Sequence, residues 1–178
     1  MAIEKRTLSG NNPKLTIDLV EMFGQRVPDS EAFRQGVGQA IIDKIRERTA
    51  EKIDRSGKRF RNYSKRYAES EDFKIHGKSK TDPNLKLTGD MLAFIDVIST
   101  SRNTITLGWD DNDEAAKAHG HITGAPQGPK VKRDFFGLPD KEYKSLTSEF
   151  SVPSEEPTST EVGLLSTLVT LRELFSDG

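Results

Sequence analysis

The stretch that decides the fold is 85–109, LKLTGDMLAFIDVISTSRNTITLGW. Apolar and polar residues alternate over 95–99, which is the period of a strand. Residues 101–103, Ser-Arg-Asn, have the composition of a tight turn. Residues 104–109 are rich in β-branched side chains and again alternate, with Ile105, Leu107 and Trp109 on one face. This pattern predicts a β-hairpin.

A short helix is predicted directly in front of this hairpin. Thr88 is a favourable N-cap residue, and Asp90 falls in the first turn, where a carboxylate is stabilised by the helix dipole. An apolar cluster follows at 91–95. One continuous helix over 88–99 is the alternative, because short apolar runs fit either period.

Composition limits the classes of protein to which the chain can belong. It has 178 residues, of which 33% are hydrophobic and 31% charged, and its mean hydropathy is -0.65. These values predict a modest core, or a subunit that completes its burial against neighbours. The absence of cysteine excludes disulfides and thiolate metal sites. No signal-peptide pattern and no apolar run of roughly 18–20 residues is present, so we expect a soluble, cytosol-made protein without membrane contact.

Charge is unevenly distributed along the chain. The segment 44–80 has 13 Lys/Arg against 6 Asp/Glu, a net +7, whereas 140–178 has 3 against 8, a net -5. A basic middle favours nucleic acid as a partner. A basic middle with an acidic end equally fits complementary faces that pair between copies of one chain.

The remaining elements are predicted from periodicity and breaker residues. We expect a flexible start over 1–13, a strand over 14–22 and a further strand over 131–137. Asp113 is placed to cap a short helix, and Pro139-Asp140 to begin another. A long helix is predicted from Asp29 or Ser30 to about Arg55, with the apolar stripe Phe33, Val37, Ile41, Ile45 and Ile53. Charged residues, Arg46 and Arg48 among them, are predicted on its other, solvent-facing sides, and Gly36 and Gly38 weaken it in favour of close packing or a bend.

The C-terminal part differs in composition from the rest. Residues 148–160 read as a linker, and 161–178 as a strongly apolar helix that needs a partner surface, in its own core or on a neighbouring subunit. We therefore predict an α+β fold in which a long N-terminal helix packs on a small, mainly antiparallel sheet, with a C-terminal helical arm. The predicted divisions are a domain over 1–147, a linker over 148–160 and the arm over 161–178.

The sequence has few residues in catalytic or metal-binding patterns. His119 and His121 lie near an acidic cluster and are spaced to chelate a metal on a strand, but polar loop residues are the default interpretation. No G-x-S-x-G elbow and no phosphate-binding G-x-x-x-x-G-K-[ST] loop is present. We therefore expect no enzyme activity, no cofactor and no metal.

Phe60, Tyr63 and Tyr67 are the expected anchors of the basic, irregular segment that follows the long helix. Interleaved with the cations of 44–80, they fit a surface that tracks phosphates and stacks bases, or simply a solvated helix face and charged loop.

A series of short motifs in fixed order resembles a known family. The motifs are Gly57-Lys58-Arg59-Phe60, Tyr63-Ser64-Lys65-Arg66-Tyr67-Ala68, Asn84-Leu85-x-Leu87-Thr88-Gly89-x-Met91-Leu92, Ile105-x-Leu107-Gly108, Ala115-x-Lys117-Ala118-His119-Gly120 and Lys132-Arg133-Asp134-Phe135-Phe136-Gly137-Leu138. They resemble the tail-completion, or virion morphogenesis, proteins of tailed bacteriophages. That family has an L-x-x-T-G-x-L element, a hairpin, an A-x-x-H-x-x-G loop and an R-P-F-L/F-G-L strand. Asp134 stands where the family usually has proline, and the chain beyond residue 147 takes no part in the resemblance.

The resemblance implies a structural protein of the virion neck or tail top, assembled in the host cytoplasm. Such a protein completes the tail and joins it to the head as a homo-oligomeric ring, often of six copies, next to other neck and tail proteins. The resemblance implies no catalytic activity. Opposite charge at the two ends of the chain fits head-to-tail association in a closed ring. A nucleic-acid-binding accessory protein that uses 44–80 is the alternative function.

Candidate contact residues follow from these two interpretations. Phe135 and Phe136 are expected to anchor packing, and Arg133 is the better candidate for a subunit interface. The C-terminal arm supplies the other interface candidates, Leu164, Leu165, Leu168, Leu171 and Phe175. For non-specific contact with passing DNA, or with an acidic partner surface, the candidates are Lys58, Arg59, Arg61, Lys65 and Arg66.

Overall fold

The computed structural model describes residues 4–24, 27–76, 83, 85, 90–124 and 131–150. Its elements, in chain order, are β1 Glu4–Thr7, β2 Lys14–Asp18, α1 Leu19–Phe23, α2 Glu31–Ala50, α3 Lys65–Ala68, α4 Glu71–Ile75, α5 Asp90–Ala93, β3 Asp96–Thr100, β4 Thr104–Gly108, α6 Asn112–Thr123 and α7 Asp140–Glu149. The predicted α+β class is confirmed. The predicted arm 161–178, the linker beyond residue 150 and the proposed Thr88 cap lie outside the described residues.

The described strands form one antiparallel sheet in the order β1-β2-β4-β3. The predicted hairpin is confirmed as β3 and β4, preceded by the short helix α5, so the alternative of one helix over 88–99 is wrong. The register shifts between Val97 and Ser99, a β-bulge that breaks the simple alternation expected of β3. Ile105 and Leu107 on β4 have no exposed surface, nor have Leu15 and Ile17 on β2, to which they are paired.

Helix α2 lies against the β3–β4 hairpin through its apolar stripe. Val37, Ile41 and Ile45 are completely buried, as the spacing predicts. The chain does not open with this helix, because β1, β2 and α1 precede it. It ends at Ala50 rather than near residue 55, since Lys52 takes a φ of 65° and Ile53 forms a bridge with Arg59 instead of a further turn.

Three predictions about strands require correction. Strand 14–22 stops at Asp18, because the Asp18 carboxylate accepts hydrogen bonds from the backbone N–H of Val20 and Glu21 and caps α1. The start of the chain is not loose throughout, because residues 4–7 form the edge strand β1. Residues 131–137 form no strand, since the carbonyl oxygens of Phe135 and Gly137 accept hydrogen bonds from the Arg48 side chain.

Side-chain contacts hold the 131–138 segment against its neighbours. The Arg6 guanidinium pairs with the Asp134 carboxylate, with Nη1 and Oδ2 3.1 Å apart, and Arg55 pairs with Glu4. Glu4 also accepts a hydrogen bond of 2.7 Å from the backbone N–H of Leu138. The Arg6–Asp134 pair and the hydrogen bond from Leu138 to Glu4 join β1 to the segment. These contacts help to hold in the sheet an edge strand that has no apolar residues.

The core is centred on Trp109, Phe135 and Phe136, which have at most 1% of their surface exposed. Their ring centroids lie 4.8 to 6.4 Å apart, in edge-on or tilted arrangements. The Trp109 indole Nε1 donates to the Met91 carbonyl oxygen at 2.6 Å, and so ties α5 to the end of β4. The predicted anchoring role of the two phenylalanines is confirmed.

Candidate functional site

A tight turn after α2 presents the first residues of the basic segment. The backbone N–H of Asp54 donates to the Lys58 carbonyl oxygen at 2.8 Å, and the N–H of Phe60 donates to the Lys52 carbonyl oxygen at 2.8 Å. The Asp54 carboxylate accepts hydrogen bonds from the backbone N–H of Ser56 and Lys58, at 2.8 and 2.9 Å. Gly57 supplies the φ of 80° that this turn needs. The turn is therefore held in one conformation by its own hydrogen bonds.

An aromatic cluster anchors the chain beyond this turn. The rings of Tyr63, Tyr67 and Phe73 contact one another at centroid distances of 5.2 to 5.5 Å. The sequence identifies the two tyrosines as anchors, but the contribution of Phe73, on α4, becomes evident only in three dimensions. Burial raises the pKa of the Tyr67 hydroxyl, with Asp72 adding to the effect, so this phenol stays neutral around pH 7.

Arg133 joins the aromatic cluster to the core. Its guanidinium carbon lies 4.9 Å from the centroid of the Tyr63 ring, within the range of a cation–π contact. Nη2 donates to the carbonyl oxygen of Arg61 at 2.9 Å. Arg133 is only 3% exposed, and burial lowers its pKa below the ordinary value for arginine. The residue considered for a subunit interface is thus engaged inside the subunit.

The five predicted DNA-contact or acidic-partner residues are all exposed and form one surface segment, which we call the basic platform. Phe60 and Tyr63 point inward between them, with 7% and 6% of their surface exposed. No acidic residue occurs within 58–66. Among the described residues, the platform has one ion pair, Lys65–Glu69 at 3.9 Å. The platform consists of Lys58, Arg59, Arg61, Lys65 and Arg66.

Two of the three aromatic residues of the segment do not offer free faces to a nucleobase. Phe60 and Tyr63 are buried, whereas Tyr67 is half-buried with its ring packed near-perpendicular to Phe73. The alternative in which all three rings stack bases is therefore wrong for Phe60 and Tyr63, because packing uses the surfaces that stacking would need. What the platform can do chemically is attract anions through exposed guanidinium and ammonium groups.

The histidines considered as metal ligands lie on α6, which begins after Asp111 and extends to Thr123. Asp111, not Asp113, caps this helix, accepting hydrogen bonds from the N–H of Asp113 and Glu114. His119 Nε2 lies 3.0 Å from the Leu8 carbonyl oxygen, which accounts for its position. The described residues contain no group of His, Asp and Glu side chains that could hold a metal ion.

Two arginines of α2 have roles that the sequence did not reveal. Arg46 donates to the carbonyl oxygens of Leu92, Ala93 and Ile95, which fixes the step from α5 to β3. Arg48 is buried and paired with Glu142 of α7, although a solvent-facing position was predicted for it. Arg48 lies three residues after Ile45, on the same face of the helix as the apolar stripe, and this spacing is the sequence signal that Arg48 is buried.

Large apolar side chains are exposed at two described positions, Ile75 and Phe94, with 70% and 52% of their surface accessible. Ile75 ends α4, and Phe94 follows α5. The interface candidates Leu164, Leu165, Leu168, Leu171 and Phe175 lie outside the described residues. Across the part of the chain that the structure describes, no helix has the length and apolar character needed to traverse a lipid bilayer.

No family model matches the chain, and no curated protein or solved structure shows significant similarity to it. The resemblance to tail-completion proteins therefore depends on the order and residues of the short motifs.

Proposed function

We propose that this chain is a structural subunit of the neck or tail top of a bacteriophage virion. It would complete the tail and join it to the head as part of an oligomeric ring of six copies, between adjacent neck and tail proteins. The proposal includes no catalytic step and no cofactor. It starts from the motif resemblance.

The observation that carries the proposal is where the motif residues lie. Met91 and Leu92, Leu107, Ala115 and Ala118, and the Phe135-Phe136 pair all belong to one buried cluster. Motifs distant in sequence thus meet in the core, as expected if they specify a common fold. This supports the resemblance as a likeness of architecture, and the function follows from the resemblance.

Surface features support association between copies. Ile75 and Phe94 leave apolar surface exposed on the described subunit, which a neighbouring copy would cover. The exposed basic platform and the net charge of -5 over 140–178, from 3 basic and 8 acidic residues, are opposite in sign, as complementary contacts between copies of one chain require. Both features fit head-to-tail association in a ring, in which each subunit contacts its two neighbours through different surfaces.

The location of the chain in particles tests the proposal. Phage particles are purified from the host culture that produces this protein. They are labelled with antibody raised against the protein and viewed by immunogold electron microscopy. Label at the head–tail junction is expected, with antibody against a major capsid protein as the positive control. Absence of label, together with absence of the chain from mass spectra of the same particles, would contradict the virion assignment.

The alternative function is a nucleic-acid-binding accessory protein, favoured by the exposed and largely unpaired cations of the basic platform. It differs from the first proposal in requiring DNA affinity of the isolated subunit. That affinity should decrease with added salt if phosphates are contacted.

A further inference from the structure

We propose that the basic platform is a binding site for the phosphate backbone of double-stranded DNA that reads no base sequence. The inference depends on the described side chains and their charges, and it does not require that the protein form a ring. It holds equally for a virion subunit that contacts passing DNA and for an accessory protein.

The first argument is that the backbone carrying the cations is held in place before any ligand arrives. Asp54 closes the turn that carries Lys58 and Arg59. The Arg61 and Asn62 carbonyl oxygens accept hydrogen bonds from Arg133, at 2.9 and 3.4 Å. A surface whose backbone is already ordered loses less conformational entropy on binding, so more of the electrostatic attraction appears as affinity.

The second argument is that the platform concentrates charge without compensating it. Five cations occur in the nine residues 58–66, and none of the nine is acidic. Lys65 faces Glu69, but their side chains are 81% and 62% exposed, so this pair is weak. Like charges held close together repel, and a polyanion that sits across them removes that repulsion.

The third argument identifies the ligand as the duplex backbone. Phe60 and Tyr63 are buried, so of the three interleaved rings only the half-buried Tyr67 has surface for a base, whereas single-strand binding uses a series of stacked rings. A protein partner normally adds an apolar centre to its contact, whereas the large apolar residues between the platform cations, Phe60 and Tyr63, are buried. Duplex DNA carries a high linear density of phosphate charge and needs only cations at the surface.

The test compares two full-length variants that lose the same charge. The triple variant K58Q/R59Q/R61Q removes three platform cations, and since their side chains are exposed the variant should remain folded. The control variant K14Q/R102Q/K144Q removes three exposed cations elsewhere. Thermal melting verifies that both are folded, and fluorescence anisotropy with a labelled 26-base-pair duplex of arbitrary sequence measures Kd between 50 and 200 mM NaCl.

The wild-type Kd is expected to rise roughly a hundredfold over this salt range, which corresponds to about four neutralised phosphates. The platform variant should bind at least tenfold more weakly at 50 mM salt, with the slope of log K against log salt smaller by about 3. The control variant should keep the wild-type slope within about 1. Two duplexes of unrelated sequence should bind equally.

Several results would overturn the inference. These are a control variant that loses as much affinity as the platform variant, a single strand that binds more tightly than its duplex, and polyglutamate that displaces duplex DNA at equal charge concentration. The last result would assign the platform to an acidic protein surface. Light scattering on the same samples separates this inference from ring formation, since loss of DNA binding with unchanged assembly contradicts the DNA site alone.

Discussion

At the residue scale, buried arginines hold this fold together by donating to backbone carbonyl oxygens. Arg48 donates to those of Phe135 and Gly137, at 2.6 and 2.9 Å, while pairing with Glu142. Arg133 does the same for the chain that carries the basic platform. In both cases the guanidinium satisfies carbonyls that a sheet would otherwise pair, because its donors form a rigid fork.

We predict that Arg48→Met lowers the free energy of unfolding by about 3 kcal/mol, because it leaves the Glu142 carboxylate and two buried carbonyls without their donor. Urea denaturation of the variant measures the loss. Lys44→Met, which removes the half-buried partner of the exposed Glu47 on the same helix, is the control and should change stability by less than about 1 kcal/mol. Equal losses in the free energy of unfolding for the two variants would contradict a particular stabilising role for the Arg48 contacts.

A second prediction at this scale concerns pH and the Glu31 carboxylate. Hydrogen bonds from Gln35, and then from Thr100, lower the pKa of Glu31 below its ordinary value of 4.5. A lowered pKa means that the charged form stabilises the fold above that ordinary value, and that the contribution is lost as pH decreases through the lowered pKa. Glu31→Gln should therefore decrease the urea midpoint at pH 7 but not at pH 3. Glu51→Gln, exposed just beyond the other end of α2, controls for the change in net charge.

At the scale of elements, the packing of α2 on β3 depends on one glycine. A Cβ at position 38 would lie 2.5 Å from the Cγ2 of Val97, whereas a Cβ at position 36 would meet only Phe150, at 3.7 Å. The sequence shows that both glycines weaken the helix and suggests close packing or a bend as their purpose. Of the two glycines, only Gly38 is needed for close packing, because only there would a Cβ come too near a neighbouring side chain.

We predict opposite signs for two otherwise identical substitutions. Gly38→Ala should destabilise the protein by about 1–3 kcal/mol through overpacking against Val97. Gly36→Ala should stabilise it by up to about 1 kcal/mol, because alanine favours the helix and contacts nothing too closely. Thermal or urea unfolding measures both. The double variant Gly38→Ala/Val97→Ala should recover part of the Gly38→Ala loss, and a destabilising Gly36→Ala would contradict this account.

The elements recovered from sequence are those with a local signal. The hairpin and the buried residues Val37, Ile41 and Ile45 of α2 follow from periodicity within one segment, α7 follows from its Pro139-Asp140 start, and the structure confirms them. Strand β1 contains no apolar residue, and its stability comes from Arg55 and Asp134, far along the chain. The 131–137 segment has the composition of a strand, but its carbonyls are taken by Arg48, which no local pattern can reveal.

The same distinction applies to the candidate site. The five cations of the basic platform are exposed, as a hydrophilic run suggests, and Tyr63 is an anchor as predicted. The burial of Arg133 depends on a contact with Tyr63, 70 positions earlier in the sequence. Sequence reasoning identifies charged residues well but does not determine which of them face solvent.

At the scale of the whole molecule, the described core draws on residues from β2 to α7. Its buried apolar residues run from Leu15 to Leu146, and Phe150 adds an edge-on contact with Phe33 at a centroid distance of 6.1 Å. A truncation meant to remove only the predicted arm should therefore retain Phe150. The net charge of the deleted part is -4, from one basic and five acidic residues.

We predict that deleting 151–178 leaves the fold intact and abolishes assembly into a ring. The full-length chain should have a mass in solution near six times 19.9 kDa, and the truncated chain that of a monomer. Size-exclusion chromatography with light scattering measures the masses, and circular dichroism melting verifies the fold. A truncated chain that still forms the full-length assembly would show that the arm does not carry the subunit contact.

The pairing of Arg6 with Asp134 has a consequence for any other sequence that adopts this fold. Position 134 is occupied by proline in the motif that the segment resembles, and a proline gives the Arg6 guanidinium no carboxylate to meet. In sequences with this fold the two positions should therefore covary, with the arginine at 6 lost where 134 is proline. A short, wholly polar edge strand would then survive only where another bond to the segment replaced the missing pair.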